Sequence, residues 1–243
     1  MALPARFNKE AINKLIRVIE VLSFYYTMNR VLTKTYEKKF ALWAAELRGI
    51  ETWEELNNFI NDNIAIEINE QRRFFKNNFS IRRENEISPL YRIKFIFGEL
   101  DNYIRRVTYL SENSIQHYQR LQLEHILPKT AINIPAEYDD EYIYSNWVAK
   151  IGNLTLVESP INQSIGKLND LKDHAWFRQK LRAYENSSVQ LTKTLSSNSR
   201  IGKNSAYNKF IDEKMFKFDK WQTEDIELRQ EMMKELMLDA WKL

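Results

Sequence analysis

Apolar residues that return every three to four positions over long stretches restrict this chain more than any other feature. After Asn8, a residue suited to cap a helix, Ile12, Leu15, Ile16, Ile19, Leu22 and Met28 recur at the spacing of one helical face. A second helix is predicted around Phe40 to Leu47. A third starts at Thr52-Trp53-Glu54-Glu55, which has the order of a capping box, and runs through Phe59. Ser88-Pro89 opens another, from Leu90 to about Arg106, with Ile93, Ile96, Phe97 and Leu100 on one side. Asp173 to Tyr184 repeats the pattern with Trp176, Phe177, Leu181 and Tyr184. Thr223 caps a last helix, Glu224 to Trp241, whose stripe of Ile226, Met233, Leu236, Met237 and Trp241 should close a core. With five glycines and 44% apolar residues, the expected class is mainly α. The aromatics of the first part, Phe24, Tyr25, Tyr26, Phe74 and Phe75, could stack on bases, but at helical spacing they are read as packing.

The helical pattern is interrupted twice, and both interruptions carry polar residues. Gln122 to Pro128, reading Gln-Leu-Glu-His-Ile-Leu-Pro, places one histidine in a short strand-like run that Pro128 ends by removing a backbone donor. Ile151 to Val157, reading Ile-Gly-Asn-Leu-Thr-Leu-Val, is a second strand. Ser159 is then placed to cap a helix with Pro160 at its first position, which puts Asn162 in the first turn, leaning back toward the strands. The insert between the strands, Lys129 to Lys150, carries Glu137, Asp139, Asp140 and Glu141; their spacing fits no calcium loop, and they are read as a surface loop or helix start. Each feature alone is ordinary. Together and in order, they point to one site.

Those residues resemble the HNH nucleases, whose core is a ββα-metal finger, and within them the C-terminal nuclease domain of GmrSD-type restriction proteins, which cut modified DNA. The likeness is carried by Glu-His-Ile-Leu-Pro (124–128), Gly-Asn-Leu-Thr-Leu (152–156), Asn162 and the ending from Trp221 to Trp241, and is strong over 121–241. The polar linker Ser111 to Ser114 places a soft boundary between Ser111 and Arg120, giving a helical domain, 1–115, and a second domain, 116–243, which the resemblance makes HNH-like with the finger embedded in helices. The resemblance also implies that Asn153 is the middle member of the finger, holding the loop or orienting His125. Proteins of this type join the nuclease to an N-terminal ParB-like, nucleotide-hydrolysing domain or subunit. This sequence has no Walker-type loop, so it is expected to be the nuclease part alone.

Charge and cysteine content narrow the chemistry. Net charge is +3, but residues 160–210 hold nine Lys or Arg against three acids. Lys167, Lys172, Arg178, Lys180, Arg182, Lys193, Arg200 and Lys203 are the expected DNA-phosphate contacts. Of these, Lys193, Arg200 and Lys203 lie in a polar stretch, 187–205, expected to be a loop. There is no cysteine, so any metal must be held by oxygen and imidazole. No signal core opens the chain and no run approaches the roughly 20 apolar residues of a membrane span, so a cytoplasmic protein is expected.

Cutting a phosphodiester needs a group to take a proton from water while the phosphorus and the leaving oxygen gather negative charge. An imidazole near its reference pKa of about 6.5 suits the first task, which makes His125 the expected general base. Magnesium or manganese suits the second, with Glu124 and Asn162 as expected ligands. Neighbours on a regular strand face opposite ways, so Glu124 and His125 share a site only where the strand is irregular. Two functions follow: a metal-dependent DNA endonuclease of anti-phage defence, with His125, Asn153 and Asn162 as its catalytic set, or a non-catalytic helical DNA-binding or partner-docking module with a degenerate finger.

Overall fold

The computed structural model of the protein describes residues 7–130, 134, 136–138, 140–168, 175–196, 209, 212–213 and 218–243. These residues are mainly helical, with two strands, as the periodicity predicts. The chain divides into two compact units, Met1–Phe79 with Trp241–Leu243, and Ser80–Ala240. Among the described residues no helix is long and apolar enough to cross a membrane.

The first unit is built on α1 (Lys9–Met28), α2 (Thr33–Leu47), α3 (Trp53–Phe59) and α4 (Ile66–Asn78), with a π-helical turn, Ile60–Ala65, joining the last two. Asn8 caps α1 by accepting from the amide of Ala11, and Thr52 with Glu55 closes the predicted capping box at α3. The face that α1 buries is rotated from the one predicted. Val18, Val21, Leu22, Tyr25 and Met28 are inside, whereas Ile16 is 58% exposed; on the buried side Phe24, Tyr25 and Phe75 pack edge to face. These rings act as core, with Phe24 also stacked on Trp241 at 3.9 Å; Phe74 is exposed.

The second unit contains α5 (Leu90–Val107), α6 (Ile115–Arg120), β1 (Gln122–His125), α7 (Glu141–Val148), β2 (Leu154–Val157), α8 (Ser159–Ile165), α9 (Ala175–Tyr184), α10 (Gln190–Lys193) and α11 (Thr223–Ala240). It includes α5 and α6, which pack against each other where Gly98 admits the ring of Tyr118. The Tyr118 hydroxyl donates to Asp101 and Asn102 at 2.8 Å each. Strands β1 and β2 pair antiparallel in the register Gln122–Val157, Leu123–Leu156, Glu124–Thr155 and His125–Leu154. Both are shorter than predicted: the chain leaves the ladder after His125, and Ile151–Asn153 is a 3-10 turn.

Helix α8 starts one residue earlier than predicted. Glu158 stands at its N-cap, with Ser159 and Pro160 inside, and its carboxylate accepts from Ser187 and Ser188 instead of capping the helix. Of the insert's acidic group, Asp140 caps α7 and Glu141 lies in its first turn, so it does begin a helix; Asp139 lies outside the described residues. The core joins Ile126, Leu127, Tyr144, Val157, Phe177 and Trp221.

Candidate active site around His125

The two strands end where the fold has to hold an irregular loop, and Asn153 holds it. Its buried amide accepts from the Leu127 amide at 2.7 Å and from Trp221 Nε1 at 2.9 Å, and donates to the carbonyls of Leu127 at 3.0 Å and Val148 at 2.9 Å. Two donated and two accepted bonds satisfy the whole side chain. The segment just after His125 is therefore fixed from behind.

Two buried cations do the same for the strand carbonyls. Lys180, 1% exposed, donates to Glu124 Oε1 at 2.6 Å and to the carbonyls of His125 at 3.1 Å and Ile126 at 3.0 Å. Its three donors all point into the protein, so the phosphate contact expected of it is replaced by a brace on β1. Burial lowers the Lys180 pKa, and the adjoining Glu124 charge pulls it back toward its ordinary value. Tyr184 also donates to Glu124 Oε1, at 3.0 Å, and burial followed by the Glu124 charge pushes its phenol well above its ordinary range. On β2, Arg229 donates to the carbonyls of Gly152 at 2.6 Å and Leu154 at 2.7 Å; burial pulls its guanidinium down to about 9, against an opposing contribution from Tyr184.

Strand alternation separates Glu124 from His125. Glu124 meets α9, whereas His125 lines a cavity of about 390 Å³ together with Glu84, Leu123, Lys94 and Lys129. There the Nε2 of His125 lies 2.9 Å from Glu84 Oε2, and Lys129 Nζ lies 2.8 Å from Glu84 Oε1. Burial alone would raise the Glu84 pKa. The hydrogen bonds and charges of His125 and then Lys129 outweigh it and leave the carboxyl below its ordinary value.

Glu84 was not foreseen, and nothing in its local sequence marks it. Backbone pairing brings it in from 41 residues upstream of His125. Its amide donates to the Ala149 carbonyl, Ile151 donates to the Arg82 carbonyl, and Gln230 on α11 donates to the carbonyls of Ser80 and Arg82.

Asn162 is half-buried on α8, which packs against β1 and α9. Its side chain makes no hydrogen bond among the described residues. A divalent cation shared with His125 would need Glu124 and Asn162 to face that imidazole, and strand alternation turns Glu124 away from it. Glu124 has one oxygen, Oε2, to offer, since Oε1 is held by Lys180 and Tyr184. Among the described residues no three His, Cys, Asp or Glu are grouped to hold a metal.

Of the expected phosphate contacts, Lys167, Arg178 and Arg182 are exposed and Lys193 is half-buried, while Lys172, Arg200 and Lys203 lie outside the described residues. Arg178 and Arg182 line a second cavity, of about 440 Å³, with Glu185 and Asp219.

The family model described as "GmrSD restriction endonucleases, C-terminal domain" matches residues 68–236. No curated protein and no solved structure matches the chain.

Proposed function

Because the chain belongs to the family of GmrSD restriction endonuclease C-terminal domains, we propose that it hydrolyses DNA phosphodiester bonds with His125 as the general base. The observation that carries this reading is the placement of His125 at the end of β1, on an open cavity, with the loop behind it fixed by Asn153. A water beside the imidazole gives up its proton to the ring and attacks phosphorus; the bond to the 3′ oxygen breaks, and that oxygen leaves. Lys94 and Lys129 on the cavity wall suit the negative charge of the substrate. Lys167, Arg178 and Arg182 are exposed and suited to phosphates of the flanking DNA.

We read β1, β2 and α8 as the two strands and helix of an HNH-type finger. A magnesium or manganese ion would neutralise charge on the phosphate and the leaving oxygen; Glu124, turned from His125 by strand alternation and buried against Lys180 and Tyr184, does not fit as its ligand there. As the nuclease part of a modification-sensing defence system, the chain would act on modified phage DNA beside a ParB-like, nucleotide-hydrolysing domain or subunit.

The test is supercoiled DNA, plain and base-modified, incubated with magnesium, manganese or chelator. Wild type should nick in either metal and not in chelator. His125→Ala should lose nicking while keeping its DNA affinity and a cooperative unfolding transition. Salt-sensitive binding without cutting on any substrate would favour the non-catalytic module, and retained cutting by His125→Ala would remove that residue from the role.

A further inference from the structure

The pair formed by Glu84 and His125 is not used by the mechanism above. We infer that Glu84 is the positioning residue of the imidazole: it holds Nε2 as the protonated nitrogen and leaves Nδ1 with the lone pair that takes the proton from water. The inference rests on reading His125 as the base and adds a residue to that reading.

Three observations point the same way. Nε2 and Oε2 are 2.9 Å apart with both side chains largely screened from solvent, at 9% and 15% exposure. A carboxylate accepts only, so the ring nitrogen between them carries the proton. Lys129, itself 59% exposed, pairs with the other oxygen of the carboxylate at 2.8 Å. The Glu84 backbone is clamped, by Ala149 at 2.8 Å and, through Arg82 and Ser80, by Ile151 and Gln230. A simple surface ion pair has none of this support. Here the chain commits a separate segment, 80–84, to placing one carboxylate against one ring on the rim of the cavity that holds the base.

A carboxylate on the far nitrogen fixes ring rotation and tautomer and stabilises the imidazolium that forms when Nδ1 takes its proton. Removing such a partner should slow turnover by about 10- to 100-fold without loosening substrate.

Two measurements separate this inference from the reading it rests on. In metal-free, ¹⁵N-histidine-labelled protein without DNA, wild type should show an exchange-protected proton on Nε2 of His125. Glu84→Ala should lose it, and Glu84→Gln, which keeps an acceptor, should retain it at a shifted position. In the nicking assay Glu84→Ala should reduce kcat by 10- to 100-fold with KM for DNA within about twofold, and Glu84→Gln should fall between it and wild type. Failure of His125→Ala to reduce nicking would end the base assignment, while the proton resonance would still report the pairing. An Nε2 proton that exchanges freely in wild type, or one unchanged in Glu84→Ala, overturns the positioning role. So does a Glu84→Ala enzyme that turns over like wild type while His125→Ala is inactive.

Discussion

At the scale of single residues, the second unit places charges where a sequence reader expects packing or surface. Lys180 is the clearest case: a lysine on a helix among Arg178 and Arg182 reads as a phosphate contact, yet it is buried against Glu124 and two carbonyls. Breaking such a pair on one side leaves the other charge without its partner. Lys180→Met should therefore destabilise the protein by about 3–5 kcal/mol, and Glu124→Gln should destabilise it too. The double variant should recover a large part of the loss, because no unpaired buried charge remains. Urea unfolding of the four proteins measures this, and additive losses would show that the two side chains do not depend on each other.

At the scale of elements, helix α11 sets the position of the turn before β2. Gly152 faces the backbone of that helix so closely that an added Cβ would lie 2.3 Å from the Ile226 carbonyl oxygen and 2.8 Å from the Gln230 amide nitrogen. Neither atom belongs to a flexible side chain, so the helix itself must move. Gly152→Ala should lose about 1–3 kcal/mol. It should also impair nicking, because Gln230 on the displaced turn supports the segment that carries Glu84. Gly166→Ala is the control, since nothing lies within 4 Å of a Cβ there; equal losses at both glycines would refute the account.

The same elements show what the sequence could reveal. The apolar stripes of α5 and α11, the capping box of α3 and the two strands were legible because each depends on neighbours in sequence. The buried face of α1 agrees with the predicted one at Leu22 and Met28 and differs at Ile16, because Val18, Val21 and Tyr25 form a second apolar stripe of the same period. Glu84 and the burial of Lys180 were illegible for another reason. Their partners are backbone carbonyls and a ring brought close by long-range pairing, and a carbonyl has no signature in a sequence.

At the scale of the whole molecule, acid should loosen both units through carboxylates whose ionised form the fold favours. Glu67 in the first unit, and Glu84 and Glu158 in the second, each have burial raising the pKa and stronger opposing partners that leave it lowered: Lys39 and Tyr26 for Glu67, His125 and Lys129 for Glu84, Ser188 and Ser187 for Glu158. A carboxylate with a lowered folded pKa contributes stability that is complete above its unfolded value, about 4.3, and is lost as pH falls through the folded one. Stability should thus be nearly flat from pH 7 to 5 as far as these groups are concerned, and then decline. Glu158 isolates the effect, because its oxygens accept from Ser187 Oγ at 2.9 Å and from the Ser188 amide and hydroxyl at 2.6 Å each. Glu158→Gln should be less stable than wild type by about 1–2 kcal/mol at pH 7, a charge-assisted bond discounted for partial exposure. Once wild-type Glu158 is protonated the two proteins lose the charge difference between them, so the gap in urea midpoints should close as pH drops toward 3. A gap of constant size across that range would mean that the serine hydrogen bonds stabilise the fold equally with a neutral side chain, and the ionised carboxylate would then contribute nothing of its own.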